Sequence, residues 1–286
     1  MTFRRLLAGT AAAVIASVGL VACGSGSSGE TVRIGTTDAQ LKEWDVFADI
    51  VEAEGIDIEI VPFSDYNTPN DALVQGEIDV NKFQHLDFLA SYNKGANADL
   101  VPYAATEINP LSLFWKDHDS LDGIEGEGVV IPNDDTNQGR AINVLAQAGL
   151  VTLRDDSVYN PTPADVDTEK SKVSIVTVDA AQTTTAYHEG RPAIINNSFL
   201  ERASIDPSLA IFQDDPSTEQ AEPYINAWVT TRDKADDETL IRLAELWKDP
   251  AVTAAVLETS GNTAVTVERS PEELAAIMER LAAREQ

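Results

Sequence analysis

The chain has 286 residues, enough for two lobes of ordinary domain size, and 43% of them are hydrophobic, as in a soluble globular protein. Its 20 Lys and Arg against 48 Asp and Glu leave a formal charge of −28, spread along the chain, which excludes nucleic acid and anionic membrane surfaces as electrostatic partners. One cysteine, Cys23, excludes an intramolecular disulfide, and His85, His118 and His188 lack metal-ligand spacing, so no zinc or manganese site is expected.

Residues 1–23 read as a signal peptide. Arg4 and Arg5 form a basic start, residues 6–20 are apolar and rich in alanine, and Leu20-Val21-Ala22-Cys23 has the form of a bacterial lipobox. In such a motif the cysteine is lipidated and becomes the mature N-terminus. The apolar run is too short for a membrane-spanning helix. Residues 24–30, rich in Gly and Ser, form a flexible tether. The expected location is the extracytoplasmic face of the cell membrane, anchored through lipid on Cys23.

From Thr31 strands and helices alternate. A strand over 32–34 precedes a helix whose Leu41, Trp44, Phe47, Ile50 and Val51 repeat at helical spacing, ended by Gly55. Ile56, Ile58 and Ile60 alternate as a second strand. Pro69 opens a short helix that Gly76 closes. A third strand over 78–80 leads to a helix over 86–92. This βαβαβα rhythm predicts a parallel sheet with helices on both faces. Residues 111–115 are an extended run and a candidate crossover into a second lobe. There the strand 129–131 runs through a polar turn into a helix over 140–148, so that Asn137 and Arg140, one turn apart, can face one ligand. Asn137 as a helix cap and Arg140 as a solvated surface charge are the alternative for that stretch. Strands over 174–178 and 193–196 follow, and 225–230 leads back. The last third is helical, over 238–247, 250–259 and from Ser270, where Ser270, Pro271 and Glu273 form a capping box. The expected division is one lobe from 31–111 with 225–286 and another from 112–224.

In open α/β sheets ligands bind beyond the carboxyl ends of strands. The turns expected there carry Tyr66, Phe83, His85, Asn137, Arg140 and Asn196, with Phe88 in the following helix and Asn226 at a strand edge. Aromatic walls, amides and one arginine suit a small zwitterion with an apolar side chain. Each residue taken alone also fits an ordinary structural role; their joint placement argues for a site. No GxSxG elbow or nucleotide-binding glycine loop is present, and neither an enzyme nor a cofactor is expected.

Several stretches carry a resemblance: Phe63-Ser64-Asp65-Tyr66-Asn67-Thr68-Pro69-Asn70, residues 76–85 ending in Phe83-Gln84-His85, Pro132-Asn133-Asp134-Asp135-Thr136-Asn137-Gln138-Gly139-Arg140, Ile194-Ile195-Asn196 and Tyr224-Ile225-Asn226. In this order, across nearly the whole mature chain, they resemble the methionine-binding lipoproteins of the NlpA type, substrate-binding components of bacterial ABC importers. The resemblance implies a two-lobed α/β periplasmic-binding-protein-like fold (type 2), open sheets with the ligand cleft between the lobes, and an ABC permease with its ATPase as partners. It implies that Arg140, beside Asn137, binds the carboxylate of methionine or an analogue. Asn196 and Asn226 would hold the polar end, and Tyr66, Phe83, His85 and Phe88 would enclose the side chain, whose sulfur favours aromatic edges. The chain departs from the family with Phe at 88 in place of Tyr, with Thr183-Thr184-Thr185 and no arginine after Gln182, and with the bulky Leu113-Phe114-Trp115. A binder of another small amino acid or dipeptide, or a surface lipoprotein without a transport role, are the alternatives.

Overall fold

In a computed structural model, residues 31–284 are described; the predicted signal peptide, Cys23 and the tether lie outside them. Two five-stranded sheets dominate. The first is built from β1 (Val32–Thr36), β2 (Ile58–Pro62), β3 (Val80–His85), β4 (Leu100–Ala105) and β11 (Asn226–Thr231), in the order β2-β1-β3-β11-β4. The second is built from β6 (Ser112–Phe114), β7 (Gly128–Pro132), β8 (Ser174–Val178), β9 (Ala193–Ile195) and β10 (Ala210–Gln213), in the order β10-β6-β9-β7-β8. A short ribbon of β5 (Glu107–Ile108) and β12 (Val265–Thr266) lies beside the first crossing. The chain passes from one sheet to the other between β4 and β6 and returns between β10 and β11.

The α/β class is as expected, but the first sheet is mixed. Strands β1, β2 and β3 are parallel, whereas β11 lies antiparallel between β3 and β4 because it returns from the second sheet. Apolar clusters cover both faces of each sheet, as a layered α/β architecture requires. On the first sheet α1 (Lys42–Ala53) turns Trp44, Phe47 and Val51 inward, against α6 (Glu238–Trp247) and α7 (Pro250–Thr259). Trp44, Phe47, Trp228 and Trp247 pack edge-on or tilted, with centroids 4.7–6.1 Å apart. The capping box opens α8 (Pro271–Arg284) as predicted: Ser270 N–H donates to Glu273 Oε2 (2.8 Å) and Glu273 N–H to Ser270 Oγ (3.2 Å).

Several expected boundaries move, and two of them bear on the cavity. Residues 81–85 are strand and not turn, with all six residues of β3 buried. Their polar side chains find distant partners. Lys82 Nζ donates to Glu107 Oε1 (2.9 Å), and Asn81, Gln84 and Asn70 form a closed amide triad. The helix α4 spans Asp135–Gln147, five residues earlier than expected at its start, because Asp134 caps it by accepting from Asn137 N–H (3.0 Å). Arg140 therefore stands in the second turn, and the cap of the helix is Asp134 rather than Asn137.

Candidate functional site

All eight residues singled out from the sequence line one cavity between the two sheets. Tyr66 comes from the loop after β2, Phe83 and His85 from the end of β3, and Phe88 from the first turn of α3 (Leu86–Ala96). Asn137 and Arg140 project from one face of α4, Asn196 follows β9, and Asn226 opens β11.

One end is apolar. The rings of Tyr66, Phe83 and Phe88 form a triangle with centroids 5.9–6.0 Å apart. Burial pushes the Tyr66 hydroxyl well above its ordinary pKa, and it donates to Ser198 Oγ at 3.2 Å. Pro110 and Leu111 also line the cavity.

The other end is polar. His85 Nδ1 accepts from Phe88 N–H (3.1 Å), which leaves the proton on Nε2, facing Asn137 Oδ1 at 3.4 Å. Burial, reinforced by the Arg140 charge, lowers the His85 pKa to about 3, so the imidazole is neutral at physiological pH. Asn137 Nδ2 donates to Asp134 Oδ1 (2.9 Å), and its Oδ1 accepts from Asn196 Nδ2 (2.8 Å). The Asn137 side chain is thus held from both ends. Asn226 Nδ2 donates to the Glu107 carbonyl at 3.2 Å.

Arg140 is 4% exposed and is clamped on several sides. Its Nε and Nη2 donate to the two oxygens of Asp214 (2.7 and 3.2 Å), Nη2 also donates to the Asn109 carbonyl (2.9 Å), and the guanidinium lies 4.0 Å from the Tyr224 ring centroid. Nη1 bonds no described residue. Two buried acceptors on the lining, Asn109 Oδ1 and Asn196 Oδ1, also lack a partner among the described residues. Buried polar groups are rarely left so, and here one free donor and two free acceptors belong to the walls of the same cavity.

The walls are sealed by contacts between the two halves. Tyr66 packs against the core of the second sheet, its ring 4.8 Å from that of Phe199. In return Tyr159, from the loop after α4, packs against the core of the first sheet beneath Arg284 (4.6 Å to its ring centroid). Beside it Asn160 Nδ2 donates to Asp87 Oδ2 (3.3 Å). On the opposite rim Asn67 Nδ2 reaches Asp179 Oδ2 (3.1 Å) and Arg202 Nη2 reaches the Ser64 carbonyl (2.8 Å). Sequence reasoning missed Asn109, Ser198 and Asp214 at this site. Asp214 is one of 48 acidic residues, and nothing in the sequence alone marks it as the partner of an arginine 74 positions earlier.

A profile of the NlpA lipoprotein family matches residues 32–267. The chain belongs to that family. The D-methionine-binding lipoprotein MetQ of Escherichia coli K12 is 30% identical over 259 residues, 88% of this chain and 94% of that one. Among solved structures, protein PG110 from Staphylococcus aureus superposes with a TM-score of 0.83 at 33% identity, covering 88% of this chain and all of that one. A nutrient-binding protein from Burkholderia cenocepacia, solved bound to methionine, gives 0.75 at 26% identity, covering 82% and 99%. The family is one of substrate-binding proteins, and the two open sheets with the cavity between them are the fold of those structures. NlpA lipoproteins are extracytoplasmic and membrane-associated; among the described residues no helix is long and apolar enough to cross a membrane.

Proposed function

We propose that this NlpA-family protein is the solute-binding lipoprotein of an ABC importer, anchored through lipid on Cys23. It takes methionine or a close analogue into the cavity between its lobes and delivers it to a permease and its ATPase. One lobe comprises 31–111 with 225–286 and the other 112–224, and closure is a hinge motion at the two crossings. The role is binding and not catalysis. The observation that carries this reading is the pairing, in one cavity, of a buried arginine with a free Nη1 and two unpartnered amide oxygens, beside a triangle of aromatic rings. Arg140 Nη1 holds the carboxylate, the oxygens of Asn196 and Asn109 accept from the ammonium, and Asn137, His85 and Asn226 keep the polar end in register. Tyr66, Phe83 and Phe88 surround the thioether, whose sulfur gains from aromatic edges. The names of the relatives support methionine as the ligand.

The test is a thermal-shift panel on protein that has been unfolded and refolded to strip any ligand retained through purification. A ligand bound only by the native state raises the melting temperature by mass action. Methionine should raise it, and leucine and glutamate should not. A rise with another small amino acid alone would keep the importer reading and replace the substrate; no rise with any solute would overturn it.

A further inference from the structure

We propose that Asp214 sets the charge class of the ligand: by neutralising Arg140 it makes the cavity accept a zwitterion and reject a lone carboxylate. This rests on the amino-acid-binding reading and deepens it.

Asp214 is absent from the cavity wall and acts through Arg140, as a positioning residue. It follows β10 and is fixed to the first crossing from two sides, with Leu111 N–H donating to its Oδ1 (2.8 Å) and its own N–H donating to the Leu111 carbonyl (3.3 Å). Its side chain is 12% exposed and accepts two hydrogen bonds from the guanidinium. A buried pair so formed presents little net charge to the cavity. The other polar side chains on the wall are all neutral, being amides, hydroxyls and the His85 imidazole. Just behind Asn137, Asp134 adds a further carboxyl at the start of α4. A ligand bringing only a carboxylate would therefore add an uncompensated buried charge, which is costly in a low-dielectric site. A zwitterion brings its own counter-charge, and the unpartnered oxygens of Asn109 and Asn196 are acceptors suited to it. Without Asp214 the guanidinium would be a free cation and would welcome a simple anion.

Calorimetry would compare L-methionine with 4-(methylthio)butanoate, which is methionine without its amino group, on the refolded wild-type chain and on Asp214→Asn and Asp214→Glu. Wild type should favour methionine by roughly a hundredfold, because the analogue leaves the site's charge unbalanced. Asp214→Asn should shrink that preference by about tenfold or more. Asp214→Glu, which keeps the charge, should retain the preference even where both affinities fall. A parallel loss of both ligands in Asp214→Asn, with the ratio unchanged, would show a structural role only and overturn the inference while leaving the function intact. Equal binding of the two ligands by wild type would overturn it without any variant. Binding of neither ligand by wild type would remove the functional reading, and this one with it.

Discussion

Replacing Gly139 by alanine tests how the walls of the cavity are held together. An alanine in a helix interior is ordinarily more favourable than glycine by about 1 kcal/mol. Here the added Cβ would lie 2.8 Å from the Asn160 Cα and 3.0 Å from its Cβ and Oδ1. The nearest obstacle is backbone, which cannot rotate away, so overpacking costs about 1–3 kcal/mol and cancels or reverses the helical gain. Relief requires the Tyr159–Asn160 segment to move outward. That movement breaks the Asn160 bond to Asp87 and lifts Tyr159 from the core of the first sheet. A hydrogen bond to a charged group is worth about 1.5–3 kcal/mol. The closed form should weaken by about 1.4 kcal/mol or more, which is tenfold in affinity and falls mainly on dissociation. Stopped-flow release of ligand, read beside the melting temperature of the ligand-free variant, separates the effects. A variant that melts higher than wild type and releases ligand as slowly would refute the reasoning, since the contact would then be neither tight nor part of closure.

Two further predictions concern the buried charges of the first sheet. Glu43, whose Oε2 accepts from Thr259 Oγ1 (3.0 Å), has its pKa raised from 4.5 to about 7 by burial, against the pull of Lys82 and with a push from Asp38. A carboxyl that holds its proton more tightly when folded makes stability fall as pH rises from about 4.5 to 7, by about 3 kcal/mol for such a shift. Glu43→Gln should flatten that part of the stability curve in urea titrations, and an unchanged slope would contradict the assignment. At Lys82, burial works against the ammonium, but the carboxylates of Glu107, Asp38 and Glu43 outweigh it and raise its pKa. Lys82→Met would leave Glu107 buried and unpaired and should cost about 3–5 kcal/mol in denaturant unfolding; a cost below about 1 kcal/mol would show that the pair is dispensable.

Much of the architecture was legible because it rests on local patterns. Helices α6 and α7 and strand β8 begin and end where periodicity and caps put them, and the Ser270–Glu273 box opens α8. Where the reading failed, the partners were remote. The segment 81–85 looks like a polar turn, yet Lys82 is paired 25 residues away and Gln84 is bonded to Asn70, so the strand continues. Strand β4 contains Pro102, which hid it, although an edge strand tolerates proline. The start of α4 slipped because Asp134, one of several acidic and amide residues in that turn, makes the cap. The eight residues that meet at the cavity were found by two independent signals, placement near strand ends and family resemblance. The charge balance around Arg140 was not, because it depends on Asp214 reaching the first crossing from the far end of the second sheet. The bulky Leu113 and Phe114 proved to be buried core of β6.

The most direct test of the account is a calorimetric titration of the refolded chain with L-methionine, run beside Arg140→Ala. A single saturable site for methionine is expected in the wild type. The account predicts a loss of about 2–5 kcal/mol in the variant, from removal of a buried charge-assisted contact. A wild type that takes up no methionine, or an Arg140→Ala variant that binds it as tightly, would contradict the claim that this cavity is the methionine site.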